Sequence, residues 1–109
     1  MTVIRQDELL KVAEQTFNNC LEILKKKNSD YCGKTDAYTN FKNYSRLGLK
    51  VSVEEGILTR MVDKFSRLIN LTYNSDNVED EQIEDTIDDL INYAVLLKCW
   101  IINSKKAGK

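Results

Sequence analysis

The chain has 109 residues, of which 16 are Lys or Arg and 17 are Asp or Glu, for a formal net charge of −1. That length supports one domain with a modest core, and the balanced charge supplies no general attraction to nucleic acid or to an anionic membrane. Histidine is absent, which excludes Ser-His-Asp and Cys-His catalysis and every His-ligated metal site, so acid–base or metal chemistry falls to carboxylates.

Proline is absent too, and there are only four glycines, which favours long helices. From about Arg5 to Lys27, Leu9, Leu10, Ala13, Phe17, Cys20, Leu21 and Leu24 recur at three- and four-residue steps, the pattern of an amphipathic helix. "KKKNSD" is expected to end it, because Asn, Ser and Asp compete for backbone hydrogen bonds. Residues 28–50 read as a loop broken by Gly33, then a short helix from about Asp36 to Leu47 stopped by Gly48. "SVEE" is a capping box, with Ser52 as cap and Glu55 reaching back, and it opens a helix to about Tyr73. "NSDN" is a turn. A last helix runs from about Glu79 or Asp80 to Asn103, and "SKKAGK" (residues 104–109) is a solvated, frayed tail. No stretch alternates as a strand would, so the expectation is one all-α domain over 1–109 with about four helices.

The three cysteines, Cys20, Cys32 and Cys99, are odd in number and lack CxxC spacing. They read as small buried side chains in a reducing compartment. "MTVIRQDELL" carries charges where a signal peptide needs an apolar run, and no apolar stretch reaches membrane-spanning length. A soluble, cytoplasmic protein is expected.

Two polar stripes stand at matching spacing. In the third helix, Arg60, Asp63, Arg67 and Asn70 lie opposite Leu58, Met61, Phe65, Leu68 and Ile69, with Lys64 at the edge. In the fourth, Asp85, Asp88, Asp89 and Asn92 lie opposite Ile83, Ile87 and Leu90. Each stripe alone fits a wet helix face, and Asp63 with Arg67 is an i,i+4 pair worth roughly 0.2–0.5 kcal/mol. Two features point further. From Leu90 to Ile102 the fourth helix is apolar almost all round, broken mainly by Asn92 and Lys98, so a partner subunit is expected to cover one face. Asp85, Asp88 and Asp89 also repel, and a divalent cation would relieve them; Mg²⁺ takes one or two carboxylates together with phosphates, which Arg60, Lys64 and Arg67 would meet directly.

These residues resemble a known superfamily. All-α nucleoside triphosphate pyrophosphohydrolases (the MazG-like superfamily) carry an ExxE pair on one helix and an ExxD pair on the next. "DTID", Asp85 to Asp88, has the spacing of the second pair, and "RMVD", Arg60 to Asp63, falls where the first would be. The chain is more closely similar to the nucleotide modification associated domain 1 family of phages and bacteria. That resemblance runs through Asp30-Tyr31, Asn40-Phe41, Glu54-Glu55, "RMVDKFSRL" (60–68) and "DTIDDLINY" (85–93), across about Lys27 to Leu97. It implies a MazG-like helical bundle, usually oligomeric, with a nucleotide as ligand. Arg60 departs from the pattern: it removes a metal ligand, adds positive charge, and suits phosphate better than metal. The prevalence of Lys and Asn over Arg fits an AT-rich phage or bacterial genome, hence host cytoplasm for a phage protein.

The aromatic segment adds a base pocket in which Tyr31, Tyr38, Phe41 and Tyr44 would stack and Asn40 would read a base edge; the alternative is that these rings only pack the loop. Lys27 and Lys34 beside it read as solvated. Three functions stay open. In the first, Mg²⁺ held by Asp85 and Asp88, with Asp63 or Glu55, bridges the phosphates of a nucleoside triphosphate. Asp63, Asp85 and Asp88 are then the catalytic carboxylates, and an activated water attacks the α-phosphate to release pyrophosphate. The ligand-binding residues are Arg60, Lys64, Arg67, Asn92, Asp30, Tyr31, Asn40 and Phe41. In the second, the same pocket sequesters a nucleotide without turnover, in phage nucleotide modification or anti-defence. In the third, the chain is a helical oligomerisation module. Expected partners are a nucleotide or nucleotide-derived ligand and the chain itself, as homodimer or homotetramer, with no membrane and no duplex nucleic acid.

Overall fold

The helical periodicity yields four helices and, among the described residues, no strand: α1 (Gln6–Tyr31), α2 (Thr39–Arg46), α3 (Val53–Tyr73) and α4 (Asp80–Lys106). The computed structural model describes residues 2–31, 36–74 and 80–106, without the side chains of 28–31 and 106. Gly33, Lys34, Cys32 and most of "NSDN" therefore lie outside the described residues, as do the side chains of Asp30 and Tyr31. No helix among the described residues is long and apolar enough to cross a membrane.

Local chemistry sets two boundaries as expected. Ser52 Oγ accepts from the Glu55 backbone N–H at 3.1 Å and Glu55 Oε1 accepts from the Ser52 N–H at 3.4 Å, which closes the capping box that opens α3. Gly48 takes a left-handed φ of 87°, which a side chain would strain, and α2 ends before it. Two boundaries differ. α1 continues through Asn28, Ser29 and Asp30 to Tyr31 instead of stopping at Lys27. Extending a formed helix adds a backbone bond per residue, and the propensity deficit of those polar residues is too small to end it. α4 likewise runs to Lys106, so residues 104–106 of the expected tail are helical.

α3 and α4 form the central pair, with α1 packed on α4 and α2 on α3. Residues early in α3 meet residues late in α4 (Glu54 with Trp100, Lys64 with Asp89), so the two run antiparallel. Ile57 of α3 is fully buried, and Val53 and Cys20 complete the buried apolar set among the described residues. The expected apolar faces are only partly covered. Leu58, Phe65 and Ile69 of α3 are exposed, as are Leu9, Leu10, Phe17 and Leu21 of α1. Within one chain α4 is not buried all round either: Val95, Ile101 and Ile102 are exposed. The molecule is elongated, with a radius of gyration of 16.6 Å against about 13 Å for a compact domain of this length.

Candidate functional site

The short helix α2 has few residues of its own to bury, so side-chain bonds seat it. Tyr38, at its start, donates its phenol O–H to the Leu96 carbonyl of α4 at 2.7 Å and sets its ring 5.2 Å from that of Trp100. Burial first, and then neighbouring Cys99, push the Tyr38 phenol above its ordinary range, so it stays a donor. Trp100 Nε1–H donates to Glu54 of α3. Lys42 stands 5.8 Å from the Trp100 ring centre and 2.6 Å from Asp36 Oδ2. The Lys42 ammonium, then the Tyr38 backbone N–H, hold the Asp36 carboxyl below its usual range.

This clamp lays α2 across α3 at Gly56. A methyl group there would stand 3.1 Å from Phe41 Cδ1 and 3.4 Å from Tyr44 Cε2, so the missing side chain lets both rings settle on the helix. Beside them opens a cavity of about 180 Å³ lined by Leu24, Lys27, Ala37, Asn40, Phe41, Tyr44, Arg60, Asp89, Asn92, Tyr93 and Leu96. All four helices or their flanks contribute. Rings and aliphatic groups form much of the wall, and two cations, one carboxylate and two amides complete it.

Charge in the pocket is partly spent within the fold. Asp89 Oδ2 lies 3.1 Å from Lys64 Nζ, and its Oδ1 lies 3.9 Å from Lys27 Nζ. Arg60 makes no ion pair among the described residues. Asn92 is 8% exposed, and its Oδ1 has no hydrogen-bond donor among them, a deficit of about 1–3 kcal/mol for a buried carbonyl.

The expected site residues divide. Arg60, Asn40, Phe41 and Asn92 line the pocket, and Lys64 reaches its rim through Asp89. Arg67 is exposed and outside it, and the expected Asp63–Arg67 ion pair is not formed. Lys64 bonds across to α4 instead, where the partner is half-buried and the attraction less screened. Tyr38 is committed to Trp100 and does not line the cavity. The four carboxylates read as metal ligands are not gathered. Glu55 caps α3, Asp63 and Asp85 are exposed, and Asp88 Oδ2 accepts from Asn19 Nδ2 at 2.9 Å. No group of three or more Cys, Asp or Glu among the described residues is placed to hold a metal ion. The crowding of Asp88 and Asp89 is relieved by Asn19, Lys27 and Lys64. The expected set of Glu55, Asp63, Asp85 and Asp88 is therefore not assembled as one cluster within this chain.

Several lining residues carried no such signal in sequence. Lys27, expected to be solvated, reaches Asp89 from α1 because that helix continues past it. Tyr93 entered only as the end of the "DTIDDLINY" resemblance, with no role assigned, and Leu96 only as part of an apolar helix. Cys20 is buried and gives its S–H to the Asp88 carbonyl at 3.8 Å; burial, then the Asp88 charge, raise its thiol above the ordinary value, so it packs as a small neutral group. Cys99, expected to be buried, is exposed. Among known proteins, no family model, curated protein or solved structure matches the chain.

Proposed function

We propose that this chain binds a nucleotide or a nucleotide-derived anion in the α1–α2–α3–α4 pocket, without a metal ion as its organiser. The observation that supports this reading is the composition of the pocket wall. Phe41, Tyr44 and Tyr93 supply aromatic rings against which a planar base can pack, and Arg60 and Lys27, with Lys64 at the rim, supply charge for a phosphate. Asn40 and Asn92 add side-chain amides that both donate and accept. The resemblance to nucleotide-acting families agrees with this reading, and Arg60 in the place of a metal-binding Glu favours binding over hydrolysis. Calorimetry with nucleoside mono- and triphosphates in EDTA tests it. Saturable binding in EDTA is the expected result. Binding that appears only with Mg²⁺, together with release of monophosphate from a triphosphate, would replace it with the pyrophosphohydrolase reading. The absence of binding in either buffer would leave the helical module.

The partner covering the apolar faces is proposed to be a second copy of this chain. A compact 12.6 kDa monomer exposes roughly 6,200 Å², whereas this one exposes 8761 Å². The excess, on the order of 2,500 Å² per chain, exceeds the roughly 1,000–2,500 Å² that each subunit of most obligate homodimers buries, so a self-interface accounts for much of it. It includes one stripe on α3, where Leu58, Val62, Phe65 and Ile69 are exposed at steps of four, three and four, the heptad spacing of a helix–helix seam. Leu10, Phe17 and Leu21 offer a matching stripe on α1. Sedimentation of the wild type and of Phe65→Glu tests this: a dimer or tetramer that dissociates in the variant supports it, and a wild-type monomer at micromolar concentration overturns it.

A further inference from the structure

The N-terminal half of α1 stands clear of its own chain. Among the described helices α1 packs on α4 alone, and the side-chain bonds that hold it there begin at Asn19 and Cys20, which meet Asp88. Ahead of them, every residue from Thr2 to Val12 is exposed, and none from Gln6 to Asn18 is buried. No hydrogen bond or ion pair among the described residues ties Gln6–Asn18 to another helix. Leu9, Leu10 and Val12 leave the axis in three different directions, and all three are exposed, so no side of this half-helix rests on the fold. Gln6–Asn18 has about the length, roughly 12–15 residues, at which an isolated helix is only marginal in water. Its helical form therefore calls for a surface from outside the chain.

The exposed stripe on α3 has matching dimensions: Leu10 to Leu21 and Leu58 to Ile69 each run about 16 Å at a rise of 1.5 Å per residue. We infer that the N-terminal half of α1 is an arm exchanged between two copies, each laying Leu10, Phe17 and Leu21 on the stripe formed by Leu58, Val62, Phe65 and Ile69 of the other. This rests on the self-association proposed above and adds which surfaces meet. A seam between two α3 helices would leave both arms bare, and a pair of arms would leave both α3 stripes bare. Arm on α3 covers both, and a two-fold axis makes the contact twice. A membrane surface fits the arm less well. Lys11 is its only basic residue, against Asp7, Glu8 and Glu14, whereas a helix lying on an anionic bilayer carries Lys and Arg on its polar face. Arg60 leaves α3 about 200° round the axis from Leu58, so the exchanged arm lies across α3 from the pocket and leaves it open.

Two measurements test the exchange. Phe17 is exposed in the lone chain, so the monomer tolerates a charge there. Phe17→Glu is expected to raise the dimer dissociation constant about tenfold or more in sedimentation, because the exchange would bury an unpaired carboxylate. For the second, Asn18 and Ser66 are exposed beside the two stripes. Single-site chains Asn18→Cys and Ser66→Cys, both carrying Cys32→Ser and Cys99→Ser, are co-expressed with tags of different mass and treated with a short bis-maleimide. The product joining unlike chains is expected to exceed either product joining like chains. Dominance of joined Ser66→Cys chains, with association unchanged in Phe17→Glu, overturns the exchange in favour of an α3–α3 seam and leaves self-association intact. Dominance of joined Asn18→Cys chains overturns it in favour of paired arms. If Phe17→Glu does not fold, the cross-links still decide. A wild-type monomer at micromolar concentration overturns both readings.

Discussion

Lys64 Nζ lies 3.1 Å from Asp89 Oδ2, and this bond ties α3 to α4 at the rim of the pocket. The two side chains are 32% and 26% exposed, between a solvated pair and a buried one. The carboxylate also draws on Lys27, so it holds down two of the three cations near the cavity. Asp89→Asn is expected to destabilise the fold by about 1 kcal/mol and to tighten phosphate-ligand binding severalfold. Urea denaturation and calorimetry read the two effects, which have opposite signs. Weaker binding in the variant would instead mean that Asp89 touches the ligand.

Arg60 and Arg67 are two turns apart on α3, yet only Arg60 lines the cavity. Arg60→Ala should cost roughly 1.5–3 kcal/mol of phosphate-ligand binding, the range for a charged hydrogen bond, or tenfold or more in Kd. Arg67→Ala should leave Kd within twofold. Equal losses in the two variants would indicate a diffuse field and not a pocket contact.

The clamp on α2 should loosen in acid. Lys42 and the Tyr38 N–H depress the Asp36 pKa from an ordinary 3.8, so the folded form binds this proton less readily than the unfolded one. Its contribution to stability is then fully present above that ordinary value and is lost as pH falls through the lowered folded value. Trp100 is the only tryptophan and lies against Tyr38 and Lys42, so its fluorescence reports the loosening. Asp36→Asn should remove this acid step and reduce stability at neutral pH.

Ile57 is the one large side chain with no exposed surface among the described residues. Ile57→Ala should cost about 2–5 kcal/mol in urea denaturation. With so few other groups buried within a chain, that loss should unfold the protein at low concentration. Self-association should restore it as concentration rises, visible as a melting temperature that climbs with protein concentration.

Much of the fold is legible in sequence because it is local. The periodicity of Leu9 to Leu24, the Ser52–Glu55 box and the stop at Gly48 each depend on residues within one or two helical turns, and all three reappear in the structure. The charge of Arg60 and the amide of Asn92 were also readable as site candidates, from two stripes at matching spacing. Tertiary structure decided which stripe residues meet. Lys64 turns to Asp89 and not to a neighbour on its own helix. Asp88 turns to Asn19, Tyr38 to Trp100, and Lys27 comes from a helix sixty residues earlier to share Asp89. Helical spacing fixes the direction in which a side chain leaves its own axis; it says nothing of the axis that arrives opposite. The partner of each charge follows from how α1, α3 and α4 pack against one another, around the buried Ile57, Cys20 and Val53.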